Sequence, residues 1–198
     1  MAAKITLIRH GETAWSLTGQ HTGRTDIPLT LHGEQRAAQL RQRLHGLSFT
    51  HVLTSPLQRA HRTCELAGFG GLARVEPDLQ EWDYGAYEGL TSQEIHTREP
   101  GWDVFRNGAP QGESVEHLIQ RTDRMVTTLR ALDGTAAVFS HGHFLRALAM
   151  RWIGLPLGAG RHFPLDTAAV SLLGYTRPDQ KIPAITLWNS ATDPVPTP

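Results

Sequence analysis

Cysteine is nearly absent from this chain of 198 residues, which carries only Cys64. An intrachain disulfide is therefore excluded, and so is a cysteine-rich zinc site. Cys64 falls in the helix expected after Pro56 and reads as a small core residue. Excess charge of either sign is missing as well, since 19 Lys and Arg balance 19 Asp and Glu. Such a balance gives no general attraction to nucleic acid or to an anionic membrane. No apolar run is long enough to span a bilayer, and no charged-then-apolar leader opens the sequence. These absences lead to the expectation of a cytoplasmic protein with neither nucleic acid nor membrane as partner. Internal repeats are lacking too. The length and a hydrophobic content of 39% suit one domain with a sizeable core.

What is present is an alternation of strand and helix patterns. Strands are expected near residues 4–9, 51–54, 73–76, 136–140, 168–175 and 183–188, and helices near 31–46, 56–67, 113–131 and 143–153. This alternation predicts an α/β fold, with a sheet covered by helices on both faces. In the third helix, Val115, Leu118, Ile119, Met125, Val126 and Leu129 recur at helical spacing and read as a core stripe. Residues 1–192 are expected to form a single domain, with Asp193–Pro198, which holds three prolines, as a disordered tail.

Four segments carry chemistry. In Leu7-Ile8-Arg9-His10-Gly11-Glu12-Thr13, an apolar strand ends in Arg-His, and Gly11 lets the backbone turn sharply. Open α/β sheets keep their ligand crevice at such carboxyl ends. Arginine offers a planar fork that suits phosphate, and histidine a nitrogen that is nucleophilic near neutral pH. The pair points to phosphoryl transfer through a phosphohistidine. Arg-His-Gly alone is better served by a histidine that only bonds nearby backbone, and the later segments change the balance. In Leu53-Thr54-Ser55-Pro56-Leu57-Gln58-Arg59, Ser55 and Pro56 read as N-cap and first residue of a helix, which puts Arg59 in its first turn. In Glu81-Trp82-Asp83-Tyr84-Gly85-Ala86-Tyr87-Glu88-Gly89, a shaped loop offers a carboxyl to protonate a leaving alkoxide; Glu81 is the candidate, with Glu88 and Asp83 as rivals. In Val138-Phe139-Ser140-His141-Gly142-His143, a second apolar strand ends in His-Gly. The competing reading of His-x-His is a metal pair, but neither a cysteine cluster nor a His-Glu-x-x-His helix accompanies it. No metal and no cofactor are expected.

With these four segments in this order, from Ile5 to about Leu148, the chain resembles the histidine phosphatase superfamily, also called phosphoglycerate-mutase-like. The resemblance implies a three-layer α/β/α sandwich with a mostly parallel central sheet. It implies His10 as the phosphate-accepting nucleophile, Arg9, Arg59 and His141 as the rest of the pocket gripping the phosphoryl oxygens, and Glu81 as proton donor and then base for water. It places Glu12 and Thr13 in the same loop, Thr22 and Gly23 on the substrate side, and Tyr84 at a position that touches substrate. Gly142 and His143 are placed to offer backbone N–H groups to the phosphate. Many members carry Asn where this chain has Ser16, whose hydroxyl has a shorter reach. The features Thr-Ala-Trp-Ser, Gln-His-Thr-Gly and Glu-Trp-Asp-Tyr-Gly-Ala-Tyr-Glu-Gly are most similar to the sedoheptulose-bisphosphatase-like sugar phosphatases.

Residues of about 90–112 are expected to form a lid over the site. Arg106 or Arg98 would bind a second phosphate or a carboxylate of the substrate, and Trp102 or Tyr87 would pack on its carbon frame. The expected activity is hydrolysis of small phosphorylated metabolites such as sugar phosphates or bisphosphates. A phosphoglycerate mutase is the alternative, disfavoured because the segment after the acid loop is short and not notably basic. A non-catalytic protein that binds phospho-ligands is the third reading.

Overall fold

The first apolar run, Lys-Ile-Thr-Leu-Ile-Arg, becomes strand β1 (Lys4–Arg9), buried along four consecutive residues as a strand covered on both faces must be. The computed structural model describes residues 4–177, 179 and 181–191. The tail expected at 193–198 lies outside them. After β1 come α1 (Ala14–Thr18), α2 (Leu31–Arg43), β2 (His51–Thr54), α3 (Gln58–Leu66) and β3 (Ala73–Val75). They are followed by α4 (Ser92–Arg98), α5 (Val104–Asn107), α6 (Val115–Ala131), β4 (Thr135–Ser140), α7 (Gly142–Trp152), β5 (Val170–Arg177) and β6 (Ile182–Ser190).

The six strands form one sheet in the order β3-β2-β4-β1-β5-β6. The pairs β2–β3, β2–β4 and β1–β4 are parallel, whereas β5 runs antiparallel to β1 and pairs antiparallel with β6. Alternate side chains of each strand enter different cores. Leu7, Leu53, Val138 and Leu173 face a large core with α6, α7 and the 90–112 segment, which contributes Ile95, Trp102, Val104 and Phe105. Ile8, Val52, Phe139 and Leu172 face a smaller core with Leu40 of α2 and Cys64 of α3. The expected three-layer α/β/α sandwich is the fold observed.

One expectation needs correction. Ser55 does not cap the second long helix. That helix starts at Gln58 behind Leu57, without a side-chain cap, because the Ser55 hydroxyl is drawn to His141 at 2.8 Å. The 90–112 segment, expected as a lid, sends Trp102 and Phe105 into the large core, and the Trp102 indole N–H donates to the Gly108 carbonyl at 2.8 Å.

Candidate active site

Strand register builds the site. Arg9 stands opposite Ser140, so His10 and His141 leave the adjacent parallel strands β1 and β4 side by side, with ring centroids 5.3 Å apart. Gly11 follows His10, but its backbone is not left-handed. Glycine is required there because a Cβ would lie 2.6 Å from the Gly33 carbonyl oxygen of α2, where the two chains touch.

Hydrogen bonds determine the tautomers. His10 Nδ1 lies 2.6 Å from the Gly11 carbonyl oxygen. A carbonyl only accepts, so Nδ1 carries the proton and Nε2 keeps its lone pair. Burial, with the Arg59 and Arg9 guanidiniums nearby, holds His10 well below its ordinary value of 6.5 and therefore neutral. His141 has the opposite tautomer. Its Nδ1 accepts from Arg59 Nε at 3.2 Å, so its Nε2–H donates to Ser55 Oγ at 2.8 Å. Burial and the same two arginines, with His10 and Arg121, keep His141 neutral as well.

One cavity of about 220 Å³ collects Arg9, His10, Ser16, Thr22, Glu81, Tyr84, Gly142 and His143 among its lining residues. Arg9 donates through Nη1 to the Leu165 carbonyl, while its buried Nε–H has no partner among the described residues. A buried donor without a partner is costly. The Glu81 carboxylate accepts three backbone N–H bonds: from Trp82 (2.9 Å) and Phe144 (2.8 Å) on Oε1, and from His143 (3.0 Å) on Oε2. It thereby caps the first turn of α7, where the helix dipole favours negative charge. Of the three carboxyls left open by the sequence, Glu81 is the one in the cavity. Glu88 accepts from the Gly23 and Thr25 N–H groups, and Asp83 pairs with Arg24 at 2.8 Å.

The remaining expected residues divide. Tyr84 lines the cavity and its hydroxyl sits 2.5 Å from His143 Nδ1. Burial raises the Tyr84 phenol and lowers the His143 imidazole, so the hydroxyl donates and His143 holds its proton on Nε2. The His143 backbone N–H, expected to serve a phosphate, is engaged by Glu81. Arg59 is fully buried behind the cavity wall. It donates to the carbonyls of Thr22 (3.0 Å), Gly23 (2.8 Å) and Thr25 (3.0 Å), and so holds the substrate-side loop. Thr13 and Ser16 form a reciprocal capping box on α1; Ser16 still borders the cavity, with its hydroxyl turned to the Thr13 carbonyl. Glu12 accepts from the Thr30 hydroxyl at 2.6 Å and anchors the start of α2.

Arg106 corrects the sequence reading. It is exposed on α5, as is Arg98 on α4, and neither lines the cavity; nor do Trp102 and Tyr87. Phe105 takes the inward position of that helix. Beside Arg9, the cation that lines the cavity is Arg146 of α7 instead. Its Nε–H donates to the Gly160 carbonyl at 2.9 Å and its guanidinium lies 4.8 Å over the Phe105 ring. Gln20, His21 and Ser92 are further wall residues that the sequence did not single out. Arg146 had one available signal: it stands three residues after His143, on the same helix face. Among the described residues, no group of three or more His, Cys, Asp or Glu stands in a metal-binding arrangement, and no helix is long and apolar enough to cross a membrane.

Comparison with known proteins places this geometry. A family model described as histidine phosphatase superfamily (branch 1) matches residues 5–190. The chain belongs to that superfamily. An acid phosphatase of Mycobacterium tuberculosis is 42% identical over 176 residues, which cover 87% of this chain and 86% of the relative. A sedoheptulose 1,7-bisphosphatase of Saccharomyces cerevisiae is 33% identical over 187 residues, 78% of this chain and 69% of the relative. A Cronobacter sakazakii relative named "probable phosphoglycerate mutase" is 34% identical over 182 residues, 87% and 85% of the two chains. The solved structure of a Mycobacterium tuberculosis open reading frame superposes with a TM-score of 0.90 at 38% identity, covering 96% of this chain and 98% of that one. Two of these three relatives carry phosphatase names and the third a mutase name.

Proposed function

We propose that the protein is a metal-independent phosphatase of small, hydroxyl-rich phosphorylated metabolites, acting through a phosphohistidine on His10 Nε2. The observation that carries this reading is the His10 tautomer: Nδ1–H is tied to the Gly11 carbonyl and the lone pair of Nε2 is free, beside the unpartnered N–H of Arg9. Nε2 attacks phosphorus in line and the bond to the ester oxygen breaks, with Glu81, entering the step as the carboxylic acid, delivering its proton to that oxygen and becoming the carboxylate. Water then attacks phosphorus, Glu81 takes its proton, and the P–N bond opens to release phosphate. The Arg9 guanidinium offsets the charge of the transferring group.

The far side of the cavity supports the substrate class. Ser16, Gln20, Thr22 and Ser92 offer small polar groups suited to sugar hydroxyls, and Arg146 offers a cation for a second phosphate or a carboxylate. The relative named as a sedoheptulose bisphosphatase supports a sugar bisphosphate. A mutase remains the second reading, favoured by the Cronobacter sakazakii relative.

The test is phosphate release by purified protein in EDTA from para-nitrophenyl phosphate, fructose 1,6-bisphosphate, sedoheptulose 1,7-bisphosphate and 3-phosphoglycerate. Release that persists in EDTA and vanishes in His10→Ala is the expected result. No release, with 3-phosphoglycerate isomerised in the presence of 2,3-bisphosphoglycerate, would replace the phosphatase by the mutase.

A further inference from the structure

One buried ion pair takes no part in the cavity yet touches the segment that carries Glu81. Arg121 of α6 and Glu113, which precedes that helix, have side chains only 8% and 7% exposed. The pairing is bidentate, with Arg121 Nε to Glu113 Oε1 at 2.9 Å and Nη2 to Oε2 at 2.7 Å. The other N–H groups of Arg121 go to consecutive turns of the acid loop. Nη1 donates to the Asp78 and Gln80 carbonyls, both at 2.7 Å, and Nη2 to the Glu81 carbonyl at 3.4 Å. All five donors of the guanidinium are thereby engaged.

Glu113 completes the grip from its backbone. Its carbonyl accepts the Trp82 indole N–H at 2.8 Å, and its N–H donates to the Asp83 carbonyl at 2.9 Å. The same guanidinium lies 4.6 Å over the ring of Phe144, whose N–H holds Glu81 Oε1. The pair therefore contacts both the loop that carries the carboxyl and the helix start that binds it.

Stability alone is a weak reason for this arrangement, because a buried ion pair is often replaceable by apolar side chains at little cost. Geometry is the stronger reason. A planar fork aligns three carbonyls at once, which the single ammonium of lysine cannot do. General-acid catalysis is sensitive to displacements of about 1 Å, worth on the order of a hundredfold in rate.

We propose that the Arg121–Glu113 pair is the positioning unit of the general acid: it locks residues 78–83 to α6, and so holds the Glu81 carboxylate at the start of α7. This rests on the reading of Glu81 as acid in the phosphatase. Two variants test it: Arg121→Lys, which keeps the charge, and the double variant Arg121→Met with Glu113→Leu, which leaves no buried charge unpaired. The first readout is kcat/KM, which covers the steps up to the phosphohistidine. A sugar phosphate leaves as an alkoxide and needs the proton, whereas para-nitrophenolate leaves without one. Both variants should lose about a hundredfold on a sugar phosphate and less than about threefold on para-nitrophenyl phosphate, with KM unchanged, the same pattern expected of Glu81→Gln. The second readout needs no turnover. Amide hydrogen exchange at His143 and Phe144, whose N–H groups Glu81 holds, should rise at least about tenfold relative to later amides of α7. Equal losses on both substrates, or unchanged exchange at those two amides, would overturn the proposal. A wild-type protein that releases no phosphate would instead remove the phosphatase reading, and the exchange measurement would still decide the positioning.

Discussion

The proposed second-anion role of Arg146 is the one that bears on substrate choice. Its Nε is tied to Gly160 and its plane lies over Phe105, so the guanidinium is held at the cavity that Arg146 helps to line. A charge-assisted hydrogen bond contributes about 1.5–3 kcal/mol, or roughly 10- to 150-fold. Arg146→Ala should therefore raise KM for fructose 1,6-bisphosphate by at least about tenfold, and that for para-nitrophenyl phosphate by less than about threefold. Steady-state kinetics on the two substrates checks this, and equal effects would remove the second-anion role. Arg106→Ala should change neither. The contrast shows what the sequence conveys at this scale. Arg9, His10 and His141 stand where an apolar run ends, and Glu81 opens a loop of acids, aromatics and glycines, all of which the sequence displays. Arg106 and Arg146 look alike as letters, and only the packing of Phe105 into the core sends one outward and leaves the other inside.

Among elements, the contact that shapes the phosphate end is between the β1–α1 loop and the first turn of α2. A Cβ on Gly33 would lie 2.1 Å from the Glu12 carbonyl oxygen and 2.8 Å from the Glu12 nitrogen. Gly33→Ala must push α2 away from the loop that follows His10. Overpacking of this kind costs about 1–3 kcal/mol. A lowered thermal midpoint with a weakened affinity for inorganic phosphate is expected, measured by calorimetry on the one protein. An unchanged midpoint would show that the loop yields freely. The long strands and helices were legible because each buries a periodic face, and their observed bounds fall within two or three residues of the expected ones. The short helices α1, α4 and α5 were not, since four to seven residues hold too little periodicity to read. Nor was the tie between Arg121 and the acid loop: it joins positions some forty residues apart, and no local pattern marks it.

Across the whole molecule, the neutral imidazoles set the response to acid. His10, His141 and His143 are held well below 6.5 chiefly by burial, and His21 is pushed down to about 4 by the same cause. Each binds a proton more readily in the unfolded chain than in the folded one. Stability is then fully present above pH 6.5 and is lost as pH falls from there toward the folded values, which for His21 means the window from 6.5 to about 4. A single such histidine removes about 2 kcal/mol between pH 6.5 and 5, and in a domain of this size each kcal/mol moves the midpoint by about 2–4 °C. Thermal unfolding followed from pH 7.5 to 5 should show a midpoint that is level at first and then falls by at least several degrees below pH 6.5. His21→Gln should flatten part of the fall, because the group that titrates is gone. A midpoint that holds or rises down to pH 5 would mean that the buried imidazoles take up protons in the folded state, and His10 could not then be counted as the neutral nucleophile.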